Sequence, residues 1–334
     1  MNNGQKIAVI IIAIVIISGV FYYQFGISKS PYEKPISVNG TPPGNSTSSN
    51  HNNTINKSDN NNTSKNSSIT VIGNAQQKYN YAPLRYGAIG PDLWNLVSAN
   101  GNTTMKYIGG KLYTNSSFSD VKSNVDTILG YPEVAYGYNL EDQMFGDQQN
   151  TNLIFPVKFS TFERLNFTST ANFSFEKLYP SNIPIDFSYD LWLEQNPSSG
   201  NMPTSQDLEV MIWMYYQDNQ PIGQQVGSFH MNAFFNGNAI NATWEIWYGK
   251  ANAWPTVSFI LEDPAVSLNS NISLNISKFI MEGGIISGEN VSNHTLMGIE
   301  MGNEFGNENL STNISEWVLS YYSFDVEGFR INII

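Results

Sequence analysis

Apolar and polar side chains alternate with a period of two over much of the chain. Runs at 153–159, 171–175, 185–193, 228–235 and 320–326 are rich in β-branched and aromatic residues, and clusters of Gly, Pro and Asn separate them. Such spacing predicts a sandwich of short antiparallel strands. One helix is expected over 277–282, with Asn275 or Ser277 capping its start and Gly283-Gly284 ending it. No internal repeat and no phosphate-cradling glycine loop breaks the scheme.

The amino-terminal part follows other patterns. Residues 7–23, after Lys6, form an almost unbroken apolar run. At 1.5 Å per residue this run reaches the lower limit for spanning a bilayer, and it exceeds the roughly 7–15 residues of a secretory core. It is read as a transmembrane signal anchor or a long signal peptide, with 1–6 as a cytosolic amino terminus; in both cases the remainder is exported. Residues 24–75 are dominated by Asn, Ser, Thr, Pro and Gly. With so few apolar groups this tract is expected to stay a solvated tether. One folded domain is therefore expected over 76–334, long enough for a sizeable core.

Two stretches carry candidate chemistry. In Asp207-Leu-Glu209-Val-Met211-Ile-Trp213-Met-Tyr215-Tyr216, a two-residue period puts Glu209, Met211, Trp213 and Tyr215 on one face and Leu208, Val210, Ile212 and Met214 on the other. A buried core would exclude an acid among rings, whereas the floor of a sugar-binding cleft would use one. The second stretch is Leu296-Met-Gly298-Ile-Glu300-Met-Gly302-Asn303-Glu304-Phe305-Gly306. As a strand it would aim Glu300, Gly302 and Glu304 one way, the glycine leaving room for something to approach the backbone. Two such strands could face two carboxylates across a cleft. Glu300 and Glu308 lie close enough to Glu304 for a register shift to exchange them.

Composition narrows the choices. The chain has no cysteine, which excludes disulfides and thiolate chemistry, and its histidines, His51, His230 and His294, are too separated for a metal cluster. No metal and no cofactor is expected. A net charge of −12 with scattered basic residues argues against a nucleic-acid partner. Charged residues make up only 13% of the chain, against roughly 25% in an average soluble protein, and amides and hydroxyls replace them. That surface would suit an acidic, hot exterior. Asn-x-Ser/Thr glycosylation acceptors recur in tether and domain, from Asn45 to Asn290. A monomer is expected.

Glu209-Val-Met211-Ile-Trp213 resembles the nucleophile strand of the family 12 glycoside hydrolases, written Glu-Leu/Ile-Met-Ile-Trp, and Gly302-Asn303-Glu304-Phe305 is similar to that family's Gly-x-Glu acid/base strand. Further matches occur in the family's order: Leu93-Trp94-Asn95, Tyr131-Pro132 with Tyr136-Gly137, Tyr189-Asp190-Leu191-Trp192, Pro221-Ile222-Gly223, Trp244 to Gly249, and Trp254 to Phe259. The resemblance covers about residues 80–334 and implies an all-β jelly roll of two antiparallel sheets whose concave sheet forms an open cleft. It implies an endo-acting β-1,4-glucanase that retains anomeric configuration, with Glu209 as nucleophile, Glu304 as acid and then base, and Asp190 beside the nucleophile. Trp94, Trp213, Met211, Asn95 and Asn303 become candidate substrate contacts. In the family's Asn-Asn-x-Trp segment Asp92 stands in the second position here, a departure. Trp192, Trp244, Trp247 and Trp254 read as core. A non-catalytic, cell-surface carbohydrate-binding jelly roll would use the same aromatics without two facing acids, and xylan or xyloglucan would use the same chemistry as β-glucan.

Overall fold

The computed structural model describes residues 68–125, 127–138, 144–145, 155–197, 203–251, 253–262 and 268–334. The apolar run at 7–23 and nearly all of the tether lie outside the described residues. Among these residues no helix is long and apolar enough to cross a membrane.

The chain opens with β1 (Ile69–Gly73), β2 (Ala82–Pro83), β3 (Ala88–Gly90), β4 (Leu96–Ile108) and β5 (Lys111–Ser123). There follow β6 (Glu133–Tyr138), β7 (Met144–Phe145), β8 (Val157–Lys158), helix α1 (Phe159–Phe162) and β9 (Phe167–Tyr179). The middle third holds β10 (Ile185–Glu194), β11 (Leu208–Gln217), β12 (Gln224–Phe235), β13 (Asn238–Ala251) and β14 (Trp254–Leu261). Last come β15 (Asn269–Asn275), helix α2 (Ile276–Ser287), β16 (Thr295–Leu296), β17 (Gly298–Gly302), β18 (Thr312–Val326) and β19 (Phe329–Asn332).

One sheet runs β1-β4-β5-β18-β9-β15. The other runs β12-β13-β14-β11-β10-β17-β6-β3-β2, and β12 touches β15 at Phe234 and Phe235. Their apolar faces meet. Phe173 of β9 stacks on Phe187 of β10 with centroids 4.2 Å apart, Phe187 meets Trp317 of β18 at 5.3 Å, and Tyr136 of β6 meets Phe324 at 5.4 Å. The Ser169 and Tyr189 hydroxyls share a hydrogen bond of 2.8 Å across the same gap. The sandwich is the expected all-β jelly roll.

Four details differ from expectation. First, β11 and β14 pair in parallel, because the β12–β13 hairpin carries the chain away and back before β14 docks. Second, β1 begins inside the stretch read as tether; its register against β4 buries Val71 with Ile69 packed beside the core, while Ile72 faces outward. Third, Phe159 closes no strand: it starts α1, which buries Phe159 and Phe162 together. Fourth, α2 runs through Gly283-Gly284 to a left-handed Gly288. Val210 and Val291 crowd those two glycines so closely that a β-carbon there would clash, and tight packing explains them. The expected Asn275 cap is present, its side chain accepting from Lys278 N–H at 3.3 Å.

Candidate active site

Strand β10 reads Ile185-Asp-Phe-Ser-Tyr-Asp-Leu-Trp-Leu-Glu194, every residue buried. Ile185, Phe187, Tyr189, Leu191 and Leu193 turn into apolar clusters, so the alternation turns Asp186, Ser188, Asp190 and Trp192 to the other face. The neighbouring registers extend that face. Trp192 stands opposite Glu209, Asp190 opposite Met211 and Ser188 opposite Trp213. Beyond β11, Glu209 lies beside Thr256, Met211 beside Ser258 and Trp213 beside Ile260. On the opposite flank Asp190 neighbours Glu300, which neighbours Ala135, and Gly302 neighbours Glu133. No lysine, arginine or histidine occurs in these five strands.

Glu209 is 8% exposed. Trp254 Nε1 and Thr256 Oγ1 donate to its Oε2 at 2.8 and 2.7 Å. Burial pushes the Glu209 carboxyl up to about 7 against the pull of those two donors, and the charge of Glu304 adds to the rise. Asp190 is held well above the usual carboxylate range, first by burial and then by the charges of Glu209, Glu304 and Glu133. Its Oδ1 is buried with no partner among the described residues. A neutral Asp190 between two glutamates relieves repulsion that three ions could not bear.

Glu304 follows β17 and lies outside any strand, bracketed by bridges from Phe305 to Gly130 and Ile185. Half-buried, its carboxyl is raised by burial, and hydrogen bonds from Asp186 and Asn219 pull the other way. Asp186 is fully buried and raised well above the carboxylate range, by burial and then by Glu304. Gly302, two residues earlier, does leave room, but not for a ligand: a β-carbon there would stand 2.5 Å from the Pro132 carbonyl, so β6 backbone fills the space.

A sequence model of glycosyl hydrolase family 12 matches residues 86–330. The chain belongs to this family. As a member it is a glycoside hydrolase, which sets aside the non-catalytic carbohydrate-binding reading. A family 12 xyloglucanase from Bacillus licheniformis superposes with a TM-score of 0.58 at 18% identity, over 78% of this chain and 100% of that one. Endoglucanase 3 from Trichoderma harzianum gives 0.54 at 18%, over 77% and 98%. An endoglucanase from Rhodothermus marinus gives 0.51 at 16%, over 79% and 100%. At such identities the likeness is one of fold.

In this hydrolase the predicted residues divide. Glu209, Met211, Trp213 and Asp190 come together on one face, with Glu304 at its edge. Trp94 keeps 38% of its surface exposed at the turn before β4, as a sugar platform requires. That turn is tied to the Glu304 segment: Leu93 shares an apolar cluster with Phe305, and Tyr131 N–H donates to Asp92 O at 2.8 Å. Trp213 is a correction. At 2% exposure it packs with Met211, Ile260 and Trp247 beneath the surface, so its ring offers no stacking face.

Asn95 is a second correction: fully buried, it donates to Val125 O and Ile128 O at 3.2 and 2.5 Å and accepts from Asn124 N–H at 3.0 Å. It anchors a loop and has no hydrogen-bonding capacity left for sugar. Asn303 likewise turns inward, donating to Asp186 O and Glu304 O at 2.5 and 2.8 Å and accepting from Ser315 at 2.7 Å. It ties the Glu304 backbone to β10 and has no donor left for a substrate.

Several residues went unnoticed as site members. Trp254 and Thr256 hold the Glu209 carboxyl, yet nothing local to β14 says which strand it joins. Asp186 and Ser188 were legible as polar positions in phase with Asp190. Trp244 is core as expected, and so are Trp192 and Trp254, which meet edge to face beside Met297 in a smaller cluster, centroids 5.6 Å apart. A cavity of about 370 Å3 adjoins this floor, lined among others by Tyr216, Asn219, Glu245 and half-buried Trp247.

Proposed function

We propose that this enzyme cleaves β-1,4-glucosidic bonds within β-glucan chains by double displacement with retained configuration. Glu209 attacks the anomeric carbon while Glu304 protonates the leaving oxygen; Glu304 then takes a proton from the water that releases the sugar. Asp190 stays protonated beside Glu209, and Trp94 stacks on a sugar ring. The carrying observation is that the charge of Glu304 reaches Glu209 and that Asp190 feels both glutamates, which supports the two carboxyls sharing one site. Retention requires carboxyls about 5–5.5 Å apart, close enough for such coupling.

Proton NMR of the first product released from barley β-glucan tests the stereochemistry: the β-anomer is expected, and the α-anomer would reverse the role given to Glu209. Glu209→Gln and Glu304→Gln should each lower kcat by at least about 10³-fold with the fold intact, since each removes a chemical group from the reaction. Near-normal turnover by either variant removes that residue from its role.

We further propose that the enzyme works outside the cell, tethered or released, because an apolar run of spanning length precedes a polar tract rich in Asn, Ser and Thr. Fractionation of native cells with mass spectrometry of the amino terminus tests this. Peptides from 1–23 in the membrane fraction indicate a retained anchor, and a mature start beyond 23 indicates cleavage. A soluble cytosolic chain would refute export.

A further inference from the structure

Asp186 takes no part in the nucleophile's half of the site, yet it is an acid with no exposed surface, and it is fastened to the acid/base segment repeatedly. Its backbone N–H donates to Glu304 O at 3.1 Å. The Asn303 amide spans Asp186 O and Glu304 O at 2.5 and 2.8 Å. The two carboxyl groups lie within each other's electrostatic reach. Two donors orient Asp186: Ser188 Oγ reaches Oδ1 at 2.6 Å, and Asn219 Nδ2, which also acts on Glu304, reaches Oδ2 at 2.9 Å. Asn219 also lines the 370 Å3 cavity, so the outer end of this network sits where a bound sugar could touch it.

Two carboxyl groups held this close by their backbones cannot both be ions in a buried sheet that supplies no cation. The titratable neighbours of Asp186 are Glu304 after β17, Asp190 along β10, Tyr131 before β6, Tyr216 opposite on β11, and Asp218 beside Asn219. None is basic. A fully enclosed acid among such neighbours keeps its proton, and a protonated carboxyl is a donor.

We propose that Asp186 is a positioning residue for the acid/base: a carboxylic acid that stays neutral throughout the reaction and donates one hydrogen bond to Glu304. The inference rests on the reading of Glu304 given above. In the first step the Glu304 proton passes to the glycosidic oxygen as the C1–O bond breaks and a Glu209 oxygen bonds to C1. The carboxylate left on Glu304 receives the Asp186 O–H. In the second step Glu304 takes a proton from water as the water oxygen bonds to C1 and the Glu209–C1 bond breaks. Asp186 begins and ends with its own proton, so no further co-reactant is required.

The test compares pH profiles of kcat and KM on barley β-glucan for the full-length enzyme, Asp186→Ala, Asp186→Asn and a Glu304→Gln control, with thermal melting to confirm folding. Asp186→Ala should lose about 10²-fold in kcat, the cost of removing one preorganised donor, with KM changed less than about threefold. Its alkaline limb should move to higher pH, because Glu304 loses the donor that stabilises its ionised form. Asp186→Asn cannot ionise but can donate, so it should recover kcat to within about tenfold and bring the limb back. The proposal is overturned if folded Asp186→Asn is as inactive as Glu304→Gln, which would mean that the Asp186 proton must move. It is also overturned if Asp186→Ala keeps the wild-type rate and profile. Should Asp186→Ala fail to fold, the rate of Asp186→Asn decides alone. Wild-type turnover by Glu304→Gln would remove the acid/base reading itself, and this proposal with it.

Discussion

A carboxyl group shut into a sheet is a reluctant ion, and this cleft face places several within reach of one another. Each aspartate of β10 has its partner glutamate: Asp190 feels Glu209, and Asp186 feels Glu304. In both pairs the aspartate is driven well above its ordinary range by burial, so protons collect on the aspartates and the glutamates are left to ionise or to donate. For Glu209 the balance depends on Trp254 and Thr256, whose donors favour the ion. Trp254→Phe removes one donor from Oε2, which weakens the ionised form and raises its pKa. The acidic limb of kcat/KM should therefore move to higher pH by about one unit, since a hydrogen bond to a charged group is worth about 1.5–3 kcal/mol. An unmoved limb would mean that this bond does not set the nucleophile's ionisation.

At the scale of elements, the two-residue period located β10, β11 and the outer strands, because each strand needs one apolar face and its own residues decide which. It did less well where backbone approach mattered. The Gly302 gap is read equally as room for ligand or for a neighbouring strand, and only the β6–β17 pairing shows Pro132 there. The paired glycines of α2 look like a helix stop until Val210 and Val291 are seen against them. Glu304 shows the same limit: in-strand alternation would aim it with Glu300, yet the strand ends at Gly302, and Asn303 with Asp186 takes over its placement.

For the molecule as a whole, raised carboxyl pKa values make folding depend on pH with a definite sign. Glu209 rises from an ordinary value near 4.5 to about 7, and Asp186, Asp190 and Glu304 rise as well. The folded state therefore binds more protons than the unfolded one between these limits. Stability is greatest below about 4.5 as far as these groups govern it, and falls as pH climbs toward 7, by about 1.4 kcal/mol per unit of upward shift. The melting temperature should be higher at pH 5 than at pH 7.5, as suits an acidic exterior. Glu209→Gln, neutral at both, should narrow that difference. A wild-type protein that melts higher at pH 7.5 would contradict this account.

Strand phase, the all-β class and the absence of thiol chemistry were legible in the amino acids alone, because each is a property of a residue and its near neighbours. Which tryptophan donates to Glu209, which asparagines are spent inside the fold, and which aspartate is tied to the Glu304 backbone were decided by the tertiary structure. Those facts depend on strands far apart in the chain lying side by side. Only when they do is water excluded, and only then does a hydrogen bond or a second carboxyl become strong enough to choose where a proton resides.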